Sequence, residues 1–272
     1  MAALPPMPEA WEDTHATLQA YSNAVAALPR AYTAPHDKWW HIALTVQPDG
    51  LTTYPVPLPD GSTATVRMDH YTHEVVLASA GGQRWTWPMD AGLTATELGD
   101  AIIDAATELG LEGEYERGKF ENDEPRPYDV KAAAAFYDTL LIVNGVLAEH
   151  RARLEGEVSP IQMWPHGFDL SFEWFGTRVE RVEEDGEVVE YPSQLNLGFY
   201  PGGEPYFYSN PWPFDADDLV DNPLPAGSEW YDEDWQGTRF PYHELHDDPT
   251  ATERLLEFAD RVFQIVQPTL TS

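Results

Sequence analysis

Apolar residues recur at intervals of three and four along four stretches of the chain, and each stretch predicts a helix. Trp11, Thr14, Leu18, Tyr21, Val25 and Leu28 form the first, with Pro35 beyond it. Leu98, Ile102, Ala105 and Leu109 form the second. Thr94 followed by Glu97 reads as a capping box at its start, and Gly110 ends it. Phe136, Leu140, Val143 and Leu147 carry a third, long helix from an Asp129 cap to Leu154, with Gly156 after it. Asp248-Pro249 opens the fourth, a cap followed by proline at the first helical position, and Leu255, Ala259, Val262 and Val266 continue it.

Between the helices the period falls to two. Trp40, Ile42, Leu44 and Val46 alternate with Trp39, His41, Ala43 and Thr45, which predicts a strand with His41 and Trp39 on one face. Asp49-Gly50 turns into a proline-containing edge segment, Leu51 to Leu58. Thr63 to Asp69, His73 to Ser79 and Gln83 to Trp87 follow, with turns at Asp60-Gly61 and Gly81-Gly82. The later strands are Ile161 to Trp164, Phe168 to Trp174, Thr177 to Val182, Val188 to Tyr191, Leu195 to Tyr200 and Pro205 to Ser209. An irregular stretch, Asn210 to Gly237, precedes a short strand at Thr238 to Tyr242. The expected fold class is α+β: antiparallel meander sheets with four main helices. The chain reads as one domain, or as two closely packed copies of a helix–meander–helix unit. Those copies would span about residues 10–111 and 128–268, joined by the acidic segment 112–127.

Charge changes the picture of the surface. Asp and Glu number 47 against 15 Lys and Arg, a formal net charge of -32, and only Lys38, Lys119 and Lys131 are lysines. Such a charge often marks disorder, but 10 Trp, 13 Tyr and 11 Phe supply a core, so the acidity belongs outside. A salt-rich solvent accounts for it. At molar ionic strength the Debye length is about 3 Å, and self-repulsion is screened. The melting temperature is expected to rise steeply from dilute buffer to molar salt; a flat profile would reject salt adaptation.

Composition also bounds location and partners. There is no cysteine, hence no disulfide and no thiolate metal site. The N-terminus lacks the basic and apolar regions of a signal peptide. The longest apolar run, Leu140 to Leu147, is interrupted by Asn144 and Gly145. The reading is a soluble cytoplasmic protein with no membrane partner. Its scattered basic residues form no stripe for nucleic acid.

The sequence holds no G-x-S-x-G elbow, Walker loop, H-E-x-x-H helix or EF-hand loop, and no motif implies a cofactor. Histidines are the main chemical clue. His41 lies beside Trp39, a pairing that suits a ligand cleft with an apolar wall and a titratable group. His73 shares a face with Val75 and Leu77, and Asp169 stands on a strand face where a carboxylate can orient an imidazole. Asp69, His70 and His73 are close in sequence but lack a specific metal-ligand spacing, and no metal site is assigned. The long stretch 210–237, with Trp212, Trp230 and Trp235, reads either as a binding loop or as a salt-adapted insertion anchored by its aromatics.

Several blocks resemble a prokaryotic family classed as a domain of unknown function. They are Lys38-Trp39-Trp40-His41, Gly50-Leu51-Thr52-Thr53 with Pro55 and Pro57, Ser159-Pro160, Phe168-Asp169-Leu170, Gly198-Phe199 with Pro201-Gly202, Phe207-Tyr208 and Pro241-Tyr242. The likeness runs from about Trp11 to the last helix. The family pattern often has a histidine where this chain has Gln162 and a tryptophan near Pro165, so no mechanism is built on those positions. The family has no established activity, and the resemblance supplies none. It favours His41, His73 and Asp169 over His70 and His166 as candidate catalytic groups, and places Ser159 and Tyr208 beside Trp39 as candidate ligand-binding residues. The preferred expectation is a small-molecule binding protein or enzyme with a Trp/His-lined cleft. The alternative is an interaction or scaffold protein that uses the 210–237 loop.

Overall fold

Thr94 and Glu97 cap each other as their spacing predicts. The Thr94 hydroxyl accepts the Glu97 N–H at 3.1 Å, and the Glu97 carboxylate accepts the Thr94 N–H at 2.8 Å. Asp129 likewise accepts the Ala132 N–H at 2.8 Å at the head of the long helix. The structure, a computed structural model, describes residues 3–9, 11–184 and 186–271.

The elements run in chain order as follows. Helices α1 (Trp11–Val25) and α2 (Ala27–Tyr32) precede strands β1 (Leu44–Gln47), β2 (Gly50–Thr53), β3 (Val56–Pro57), β4 (Thr63–Asp69), β5 (Glu74–Ser79) and β6 (Arg84–Pro88). Helices α3 (Ala95–Glu108) and α4 (Val130–Arg151) follow, then β7 (Glu157–Val158), β8 (Gln162–Trp164), β9 (Asp169–Glu184) and β10 (Glu187–Tyr200). The chain closes with β11 (Tyr206–Ser209), β12 (Pro211–Trp212), α5 (Ala216–Leu219), β13 (Glu229–Tyr231), β14 (Gly237–Pro241) and α6 (Ala251–Val266). The fold is α+β, with antiparallel sheet pairing and four main helices, α1, α3, α4 and α6.

These elements form two compact units. The first is Met7–Leu141 with Gln162–Asp169; the second is Met1–Pro6, Ile142–Ile161 and Leu170–Ser272. The acidic segment 112–127 therefore falls inside the first unit. There the strand order is β8-β1-β2-β4-β5-β6, with β3 also on β4. In the second unit the order is β13-β14-β11-β10-β9, with β7 on β9 and β12 on β10.

The first unit's core combines Leu18, Tyr21, Leu44, Leu51, Val66, Leu77, Ile102 and Phe136, all almost fully buried. Trp11 stacks on Phe136 at 4.1 Å, and Phe168 closes on both Phe136 and His15. The second unit's core is built on the β9–β10 hairpin. Leu170, Phe172, Trp174, Leu195, Leu197 and Phe199 are buried at its base, with Phe207, Phe240 and Phe258 beside them. Its outer half is a bare two-stranded ribbon that exposes Val179 and Val188.

Several boundaries differ from the sequence expectation, each for a local reason. The first helix breaks after Val25, because Pro29 has no N–H for the Val25 carbonyl and its ring crowds it. Trp40–Ile42 is a 3-10 turn and not a strand; Trp39 before it has left-handed backbone, φ 60° and ψ 15°. The strand begins only at Leu44. His73 likewise precedes its strand, at φ 55°. The segment after Gly50 is no edge: β2 pairs with both β1 and β4, and Pro55 and Pro57 come after it. Asn144 and Gly145 do not interrupt α4, the one described helix long and apolar enough by length and composition to cross a membrane. Half of that window is buried within the protein. The 210–237 stretch carries β12, α5 and β13, so it is only partly irregular.

Candidate functional site

The loop before β1 is held together by its own imidazoles. Backbone bonds and bonds to the imidazoles close it. The Trp39 N–H donates to the His36 carbonyl at 2.8 Å, and the Ile42 N–H donates to the Trp39 carbonyl at 3.1 Å. The Lys38 N–H donates to His36 Nδ1 at 3.1 Å, and the His36 N–H donates to His41 Nδ1 at 3.2 Å. Both imidazoles therefore act as acceptors through Nδ1, which puts the proton of the neutral ring on Nε2.

Rings from this loop stack in pairs. His36 lies flat on Trp40, with centroids 4.3 Å apart and planes 13° off parallel. Trp39 stacks on His41 at 5.7 Å, with 55% of its surface exposed. Burial, then the electrostatic influence of Arg30 and His36, pushes the His41 pKa below its ordinary value. His41 is thus neutral at neutral pH and keeps its acceptor role. Trp39 and His41 are neighbours as the sequence suggests, through a turn and not through strand alternation.

His73 occupies a different turn. Tyr128 bonds its Nδ1 at 2.9 Å. Burial pushes the Tyr128 hydroxyl pKa up, so the phenol stays protonated and donates. The turn itself is wound on Asp69, whose carboxylate accepts the Tyr71 and Thr72 N–H groups at 3.0 Å each and pairs with Arg67 at 2.9 Å. Burial opposes that charge, but the N–H groups of Thr72 and Tyr71 and the Arg67 guanidinium outweigh it and hold the Asp69 carboxyl below the usual range. Inside the turn lies His70, fully buried and stacked on Tyr137 at 4.2 Å and 8°. Among the described residues neither of its ring nitrogens has a hydrogen-bond partner. Among them, too, no group of three or more His, Asp or Glu is placed to hold a metal ion.

The two candidate imidazoles therefore bond different partners, and different neighbours act on each: Arg30 and His36 at His41, Asp90 and Asp69 at His73. Asp169 is also in the first unit, at the start of β9, with its carboxylate over Gly167. A β-carbon on Gly167 would stand 2.5 Å from Asp169 Oδ1.

Ser159 and Tyr208 belong to the second unit. The Ser159 hydroxyl donates to the Pro160 carbonyl at 2.9 Å and accepts the Glu173 N–H at 2.8 Å, so it ties its loop to β9. The Tyr208 ring covers Gly198, where any β-carbon would strike it at 2.3 Å.

Three features escape the sequence reading. His36 completes the loop from five residues before His41; its only signal is being a second imidazole beside the Trp-Trp-His run. In the second unit His150 pairs through Nδ1 with Asp260 Oδ1 at 2.9 Å, and Arg153 holds the other carboxylate oxygen at 2.6 Å. This pair links α4 to α6, and no local spacing announces it. Arg126 is buried between two prolines in the acidic segment.

A family model described as a family of unknown function, DUF5996, matches residues 4–269. No curated protein and no solved structure matches the chain.

Proposed function

We propose a function for a chain that belongs to DUF5996, a family of unknown function: it binds a small flat-ringed molecule on the Trp39 side of the 36–42 loop. One observation carries the reading. Trp39 is a large aromatic residue at φ 60° with more than half its surface exposed. Left-handed backbone costs a residue with a β-carbon about 1–2 kcal/mol, and an exposed indole recovers little of that by burial. Such strain persists where the surroundings impose it, and it collects at binding sites. Here the surroundings are the two imidazole-to-backbone bonds.

A planar ligand would extend the His41–Trp39 stack by one ring. The Nε2–H groups of His41 and His36 are suited to its edge acceptors. A salt-rich cytoplasm as its setting is supported by the charge. The scaffold alternative gains less support. The Trp230 indole donates to the Asn222 carbonyl at 2.9 Å, and Trp235 packs on Tyr231 at 4.7 Å and on Tyr206 at 6.0 Å. The aromatics of the 210–237 stretch thus anchor the stretch itself.

A thermal-shift screen of purine nucleosides, nicotinamide and benzoate in molar salt tests the proposal. The hit is expected to vanish in Trp39→Gly and His41→Ala. Trp39→Gly is expected to stay within about 1 kcal/mol of wild-type stability, since glycine relieves the left-handed strain while loosening the unfolded chain. A loss of about 3–5 kcal/mol, as for a core aromatic, with ligand still bound, would show that Trp39 is a packing residue and end the reading.

A further inference from the structure

The acidic segment of the first unit borders a groove distinct from the 36–42 loop. Residues 118–126 lie along α1 and enclose a groove of about 360 Å³, enough for a small ligand. Its walls are fixed at both ends. The Thr17 hydroxyl donates to the Pro127 carbonyl at 2.7 Å, and the Asp129 N–H donates to Thr14 Oγ1 at 3.0 Å. At the other end the Asn122 N–H donates to Thr96 Oγ1 at 2.9 Å, and the Asn122 carbonyl accepts the Ala95 N–H at 3.1 Å. Phe120 seats between them on Gly99, where no β-carbon would fit.

Arg126 lines this groove and is only 7% exposed. Its Nε and Nη2 atoms are buried and, among the described residues, have no hydrogen-bond partner. Those two N–H groups form one edge of the guanidinium, the edge that takes a carboxylate or phosphate side-on through two parallel bonds. Leaving it bare is costly: a buried charged donor without an acceptor loses its hydration for nothing. The anion nearest to it is Glu124, whose Oε2 stands 3.6 Å from Nη2, too far for a hydrogen bond. The Glu124 side chain is itself 77% exposed and free to swing out. Glu121, the other carboxylate of the groove, is bonded to Arg117 Nε at 2.9 Å. Lys119 adds a second positive group to the lining, and Gln19 and Asn23 line the groove from α1.

We propose that this groove binds a small oxyanion, carboxylate or phosphate, held side-on by Arg126 in the place where the Glu124 carboxylate now stands. Glu124 acts as a cover that competes with the ligand. The site is independent of Trp39, and either can fail without the other.

Titration calorimetry with succinate and with inorganic phosphate, at fixed ionic strength, tests it. At least one of the two is expected to bind the wild type. Binding by phosphate alone assigns a phosphoryl ligand; binding by succinate alone assigns a carboxylate. Glu124→Gln, on an exposed side chain, is expected to bind the same probe at least threefold more tightly. Arg126→Lys keeps the charge but loses the fork, and is expected to bind at least tenfold more weakly. Should that variant fail to fold, the Glu124→Gln comparison still decides. No binding of either probe to wild type or Glu124→Gln overturns the proposal, as does a Glu124→Gln affinity no higher than that of the wild type.

Discussion

Acidification from pH 7 to pH 4 is expected to cost the folded protein about 3 kcal/mol through His70 alone. Burial, reinforced by His73 and opposed by Asp69, pushes the His70 pKa from 6.5 down to about 3. The folded state holds the neutral imidazole, whereas the unfolded chain protonates near 6.5. The contribution is therefore complete above pH 6.5 and is lost progressively as pH falls from there towards 3. His15 and His150 shift in the same direction, also chiefly by burial, and add to the slope. Denaturant melts across this range in molar salt check it, since salt screens the relief that carboxylate protonation would otherwise bring. His70→Phe keeps the stack on Tyr137 and removes both bare nitrogens. It should be more stable than wild type at pH 5 and show a shallower slope. An unchanged slope would mean that His70 is not the titrating group.

Leu44→Ala is expected to cost about 2–5 kcal/mol, through lost burial and the cavity left behind. Leu44 is fully buried in β1, opposite Thr53 on one side and Met163 on the other. With a strand on each side, the site has little room to collapse. Thr45→Ala next to it should cost about 0.5–1.5 kcal/mol, the net worth of one hydrogen bond. That bond is the Thr45 hydroxyl donating to the Thr52 carbonyl at 3.1 Å. Equilibrium denaturation of the two variants in molar salt makes the comparison, and equal losses would show that Leu44 does not face the core.

What could be read from the sequence is what depends on near neighbours. The Thr94 and Asp129 caps involve partners three residues away, and both form as expected. The residues from Trp39 to Leu44 satisfied period two while folding otherwise. A left-handed tryptophan leaves no trace in composition, because only glycine and a few polar residues advertise that conformation. Pro55 and Pro57 suggested an edge, yet the edge begins only after β2 has found two partners. The candidate loop was visible through Trp39 and His41. The part of His36 in it was not, since its bond to His41 exists only once the loop closes. The burial of Arg126 was hidden because its segment is tied to α1 through Thr14 and Thr17, more than a hundred residues earlier. His70 could not be told from a surface histidine before the turn around Asp69 was known.

The order in which the first unit receives its parts has a consequence for its birth. A ribosome releases α1 and the β1–β6 meander early, but residues 162–168 only after α4 is complete. Those late residues carry β8, which borders β1. They bring the Phe168 ring that closes on His15 and Phe136. They also bring the Pro165 and His166 carbonyls that accept from Ser22, Asn23 and Gln19 on α1. Pairings this distant in sequence form slowly, and an unpaired strand edge is adhesive while it waits. Through the synthesis of α4 the nascent chain holds β1 open along one side, so this edge is where a chaperone, or a neighbouring nascent chain, meets it first.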